Sequence, residues 1–183
     1  MKWILVGQGR TEWDDEGRLQ GTIDLPLSVR GRKEASRLAR KVGAFAPEEV
    51  VTGSGQTLVE TARIYARESG CRVHTHDELN ELDLGLWQGM LRRELEERYP
   101  RTYRRWSADP QSVSPPKGES LTAMLERVGA AIEGLRRRRH RKALLCVLPP
   151  VVRLATHALL TGVSFETIRS TTSSPGAWIE IDT

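Results

Sequence analysis

The sequence predicts an α/β fold, a three-layer α/β/α sandwich around a mostly parallel central sheet. Two observations carry the layered architecture. Short apolar runs, KWILVG, EEVVTG and KALLCVL, stop abruptly as buried strands do. Each is followed by a segment whose apolar residues recur at helical spacing, and that alternation implies parallel strands with helices on both faces. No repeat, linker or shift in composition divides the 183 residues, so residues 1–183 are read as one domain.

The elements follow in order. Residues 2–7 are a strand ended by glycine. Residues 28–45 are an amphipathic helix, with Ala35, Leu38, Ala39 and Val42 on one face and basic residues between them. Residues 48–53 form a second strand, and 56–70 a second helix that Gly70 terminates. Residues 72–76 are a third, less apolar strand. Helical pieces begin at residue 91, and a Pro/Ser-rich stretch over 107–120 is either a lid or a tolerated insertion. Residues 119–139 form a long helix, with Leu121, Met124, Leu125 and Val128 on one face. The most apolar strand (142–148), a helix (151–162) and a last strand (177–182) complete the chain.

Composition narrows the class. Twenty-eight Lys and Arg against 24 Asp and Glu give a net charge of +4, much of it from one basic run. Cys71 and Cys146 are far apart and do not make a disulfide framework, which fits a reducing compartment. The chain shows no secretory leader and no apolar stretch of membrane-spanning length, so a cytoplasmic protein with no membrane association is expected.

In open parallel sheets the functional crevice lies beyond the C-terminal ends of the strands. The residues there read GQGRTEW, GSGQT, ELNELDLGLWQG and LPPVVR. Their order and wording resemble the histidine phosphatase superfamily, the phosphoglycerate mutase-like group. That family opens with Arg-His-Gly-Glu-Thr, then Trp-Asn, then Arg-x-Gln-Gly. Here Gly9, Thr11, Trp13, Arg18, Gln20, Gly21, Asp24, Pro26, Leu27 and Gly31 fall in step. Thr61 and Ala62 match the second block, and Leu79, Glu81, Gly85, Trp87 and Gly89 the third. Gly118, Glu119 and Ser120 match the Gly-Glu-Ser before the long helix.

Set against that pattern, the family's catalytic positions are altered. The resemblance places Gln8 at the nucleophilic histidine, Gly7 at the arginine before it, Asp14 at the pocket asparagine and Thr57 at the second arginine. The second histidine falls on Leu148, or on Pro149 with a one-residue shift. Glu81, the family's proton donor, is kept. A carboxamide cannot take a phosphoryl group from a donor as imidazole does. Removing such a nucleophile costs on the order of 10⁶-fold in turnover. Asp14 and Glu81 would also face a phosphate group carrying roughly two negative charges.

Gln8 either fills the old pocket or hydrogen-bonds an uncharged ligand. Arg10 is expected to pair with Asp14 or Glu12. GSGQT is a turn and helix cap that leaves a route to a small anionic ligand through backbone N–H groups. His74 and His76, with no third ligand, read as a surface pair, and no cofactor or metal is implied. His157 reads as structural. The run from Arg136 to Lys142 closes a helix and lacks interleaved aromatics, so nucleic acid is not the expected partner. An exposed Trp106 would mark a partner surface.

The expectation from sequence is therefore a catalytically inactive family member that acts by binding a protein partner or a second copy of itself. One alternative is an enzyme with a repurposed pocket, using Glu81, Asp14, Arg10 and Gln20 for acid–base and orienting roles, with Gln8 and Thr57 beside them. A polar cavity joining those side chains would favour it, and a pocket filled by Leu148 would argue against it. A further alternative is anion or nucleic-acid binding through the basic run at Arg136.

Overall fold

The structure is a computed structural model in which residues 1–138, 143–171 and 178–183 are described. It is the expected three-layer sandwich. A five-stranded sheet is built from β1 (Lys2–Gly7), β2 (Glu49–Thr52), β3 (Arg72–Thr75), β4 (Ala143–Leu148) and β5 (Ile179–Asp182). The spatial order is β3-β2-β4-β1-β5. Every pairing is parallel except that of β5, which runs antiparallel to β1 at the edge.

Side-chain alternation along the two central strands divides the core. Trp3 and Leu5 of β1, with Leu144, Cys146 and Leu148 of β4, point to one face. Ile4 and Val6, with Ala143, Leu145 and Val147, point to the other. This two-sided burial is why both strands read as continuous apolar runs rather than alternating ones. The second face is covered by α2 (Val29–Val42) and α3 (Gln56–Ser69). The first is covered by α6 (Leu121–Arg136), α7 (Pro150–Thr161) and α8 (Phe165–Thr171).

Three short α-helices complete the α-helical set among the described residues. α1 (Glu12–Glu16) is held by a reciprocal cap between Thr11 and Asp14 and is ended by Gly17 in the left-handed conformation, φ 76°. α4 (Arg92–Arg98) begins where the Glu94 carboxylate turns back to accept from Leu91 N–H at 2.8 Å. α5 (Pro100–Ala108) opens on proline, a good first helical residue. Local period cannot reveal helices as short as α1 and α8, and neither was expected.

The 107–120 stretch, left open between lid and insertion, is anchored at its far end. Leu86 N–H donates to Pro116 O and Glu119 N–H to Asp83 O, each at 2.9 Å. Gly85 permits that approach, since a Cβ there would lie 2.2 Å from Pro116 O. Trp106 is partly buried and packs edge-on against the fully buried Trp87, ring centroids 5.6 Å apart.

The basic run is described only in part. Arg136 pairs with Glu133 at 3.0 Å, while residues 139–142 lie outside the described residues. Among the described residues no helix is long and apolar enough to cross a membrane.

Candidate functional site

Beyond β1 the chain makes its tight turn at residues 8–10, and close contacts fix it. Gln8 N–H donates to Leu148 O at 2.9 Å, extending the β1–β4 ladder by one bond. Gly9 N–H donates to the Thr61 hydroxyl at 2.9 Å, which ties the turn to α3. Arg10 O accepts from Ser28 N–H at 2.9 Å. Gly31 lets α2 approach, because a Cβ at that position would sit 2.1 Å from Arg10 O.

Gln8, Gln20, Thr57 and Glu81 come together in one cavity of about 130 Å³. The Gln20 carboxamide nitrogen donates to the Thr57 hydroxyl at 3.2 Å and to Ile23 O at 3.0 Å. Thr57 in turn donates to Leu25 O at 2.6 Å. Its side chain is thus built into the wall as a neutral hydrogen-bonding group.

Glu81 is held more elaborately. Its two carboxylate oxygens accept from Leu82 N–H at 2.8 Å and from Val151 N–H, in the first turn of α7, at 3.0 Å. Burial pushes its pKa above the ordinary carboxylate range, against the opposing pull of those backbone N–H groups and of Arg127. Burial wins, so the carboxyl keeps its proton to higher pH than a surface glutamate.

Arg127, which the sequence reading missed, sets the segment that carries Glu81. From α6 it donates to the carbonyls of Glu78, Asn80 and Glu81 at 2.7, 2.8 and 3.0 Å. It also grips the Glu119 carboxylate through two bonds, at 2.7 and 2.8 Å. No local pattern in the sequence signals it, because the carbonyls it binds lie 46 to 49 residues away.

Several expectations need correction. Arg10 and Asp14 do not join Glu81. They line a second cavity, of about 610 Å³, and among the described residues only Gln8 borders both. Arg10 pairs with Asp15 at 2.6 Å rather than with Asp14 or Glu12. The Asp14 carboxylate caps its own helix, accepting from Thr11 N–H at 2.7 Å. GSGQT forms the turn and helix cap expected of it, with two of its amides engaged: Gly55 N–H donates to the Asn80 side chain at 3.1 Å and Gln56 N–H to Asp24 at 2.7 Å. Leu148, paired in register with Gly7, turns into the core beneath α6 and α7 and leaves the smaller cavity open.

Among the described residues no group of three His, Cys, Asp or Glu side chains could hold a metal ion. His74 lies 3.8 Å from Glu49 on the sheet edge. His157 is half-buried, and burial together with nearby Arg153 lowers its pKa.

The family profile of the histidine phosphatase superfamily (branch 1) matches residues 3–183. The chain belongs to the histidine phosphatase superfamily. It is 34% identical over 163 residues to phosphoserine phosphatase 1 of Hydrogenobacter thermophilus, covering 89% of this chain and 77% of that protein. The α-ribazole phosphatase of Shigella flexneri superposes with a TM-score of 0.89 at 27% identity, over 100% of this chain and 90% of that one. A mycobacterial glucosyl-3-phosphoglycerate phosphatase shares the fold at 21% identity, with a TM-score of 0.87 over 98% and 90% of the two chains.

These relatives overturn the expectation of an inactive binding protein. Proteins similar to this histidine phosphatase homologue over most of its length are named as phosphatases. The physical reason the sequence misled is visible in the site. Residue replacements show which groups are missing from a pocket, whereas the cavity beside Glu81 remains open and polar.

Proposed function

We propose that this histidine phosphatase homologue is a hydrolase with a repurposed pocket, in which Glu81 supplies acid–base chemistry to the cleavage of a phosphomonoester. The single observation that carries the reading is the Glu81 carboxyl, walled into an open cavity and biased toward its protonated form. A general acid must hold its proton near the working pH, and burial does this for a carboxyl.

In this reading the positions of Gln8, Gly7, Thr57 and Leu148 offer no imidazole or guanidinium, so water attacks phosphorus directly. The bond from phosphorus to the ester oxygen breaks, that oxygen takes the Glu81 proton, the phosphate product keeps the protons of the attacking water, and it gives one up to solvent as the carboxylate is reprotonated. Gln8, Gln20 and Thr57 orient the ester by hydrogen bonds. The relatives' names support the substrate class, phosphoserine and α-ribazole phosphate being monoesters of small alcohols. Lys and Arg are absent from the described lining of this cavity, so turnover is expected to be slow and substrate binding weak.

The test is a panel of phosphomonoesters assayed with the native chain and with Glu81→Gln. Turnover is expected to fall about 10²- to 10⁴-fold in the variant, and the native rate to drop as pH rises through the Glu81 pKa. Equal rates in the two proteins, or protein carrying covalent phosphate after reaction, would falsify the reading.

A further inference from the structure

The larger cavity, on the other side of Gln8, has a different chemistry. It lies between the turn at residues 8–10, α2 and the start of α7, and its volume of about 610 Å³ is in the range of small-molecule sites. Four cations line it: Arg10, Arg37, Lys41 and Arg153. They approach from three separate elements. Arg37 and Lys41 stand one turn apart on α2 and have no acidic partner among the described residues. Arg153 comes from α7 and is only 5% exposed, so its guanidinium belongs to the wall and not to the solvent. Beside it stands Tyr65 of α3, 1% exposed, another hydrogen-bonding group in the wall.

Two carboxylates also line the cavity, and both are already engaged by the chain. Asp14 is bonded to Thr11, and Glu34 accepts from Arg30 at 2.8 Å. Arg10 is shared with Asp15. Gathering four cations around one cavity sets like charges against each other, and an anion seated among them relieves that repulsion.

We propose that this cavity binds a small polyanion, held by Arg153 at its base and by Arg37 and Lys41 at its rim. The ligand presents phosphate or carboxylate groups, which guanidinium forks grip through paired bonds. The site is separate from the Glu81 cavity and does not depend on the hydrolase reading.

Calorimetric titration at low ionic strength tests it, with inorganic pyrophosphate as the phosphate probe and citrate as the carboxylate probe. The rim side chains are exposed, so Arg37→Gln/Lys41→Gln keeps the fold, and Arg153→Met is added with its folding checked by circular dichroism. Binding of either probe is expected, weakened at least tenfold in the double variant and unchanged by Glu81→Gln. Whichever probe binds names the ligand group. Failure of both probes at millimolar concentration overturns the proposal, as does equal binding by the double variant. Tighter binding in Glu81→Gln also overturns it, because loss of that carboxyl would favour an anion only in the smaller cavity.

Discussion

Two cavities meet at Gln8, and they are built on opposite plans. The smaller is lined by carboxamides, hydroxyls and the carboxyls of Glu81 and Asp24, each tied to backbone amides or to the neighbouring wall. The larger is lined by cations on helix faces, and Arg10 and Glu34 at its edge are held in exposed ion pairs. The difference teaches that the two cavities handle charge differently: the smaller sets the Glu81 carboxyl among neutral lining groups, with Arg127 held behind it on the Glu81 carbonyl, while four cations line the larger.

The largest effect expected from breaking this arrangement is catalytic. Glu81→Gln keeps the size of the side chain and one of its two backbone hydrogen bonds but cannot give up a proton, which accounts for the expected loss of about 10²- to 10⁴-fold in turnover. The corresponding change in the larger cavity, Arg37→Gln/Lys41→Gln, should leave the hydrolysis rate within about twofold, because those side chains lie on α2 away from Glu81. Steady-state rates on one substrate for both variants decide it. A collapse of activity in the α2 variant would mean that the two cavities work as one.

Arg127 comes next. Replacing it with Met leaves Glu119 without its cation and strips donors from three carbonyls in the 78–81 segment. Arg127 is 23% exposed along its side chain, so water relieves part of that loss. The expected destabilisation is about 3 kcal/mol, read from the urea midpoint. Turnover should fall with it even where the protein is still folded, since Glu81 then loses its fixed position.

The pH dependence of stability is smaller and has a definite sign. Below the unfolded value near 4.5, Glu81 is protonated in both states and costs nothing. As pH rises past that value the unfolded chain releases its proton while the folded chain, with its raised pKa, retains it. Stability therefore declines with rising pH until the folded pKa is passed, with a slope of at most about 1.4 kcal/mol per pH unit. Glu81→Gln should remove this slope in urea titrations taken between about pH 4 and 8. A slope that survives the substitution belongs to some other group.

The sequence made much of this legible, and the exceptions have a common cause. Strands β1, β2 and β4 are apolar because both sheet faces are covered, and the run of matched positions from Gly9 to Gly118 was specific enough to give the fold. Whatever depended on which way a side chain points was hidden. Arg10 is two residues from Gln8 yet does not share the cavity of Glu81, and its partner is Asp15 because α1, too short to show a period, presents that carboxylate. Whether Trp106 is exposed was open in the sequence, and its contact with Trp87 decides it. Arg127 gains its importance from carbonyls nearly fifty residues away in sequence, which no local pattern reports.

The smallest expected effect tests the larger cavity from its rim. Arg10 is 40% and Asp15 31% exposed along their side chains, and such a pair adds little to stability. Asp15→Asn should therefore change the unfolding free energy by less than about 0.5 kcal/mol. It also withdraws a negative charge that competes for Arg10 and lies 3.7 Å from Arg30. Pyrophosphate should then bind a few-fold tighter at low salt, and the gain should fade near 0.15 M salt, where screening acts over about 8 Å. An unchanged affinity at both ionic strengths would mean that Arg10 faces the cavity without contributing to its field, leaving Arg37, Lys41 and Arg153 as the cations that matter there.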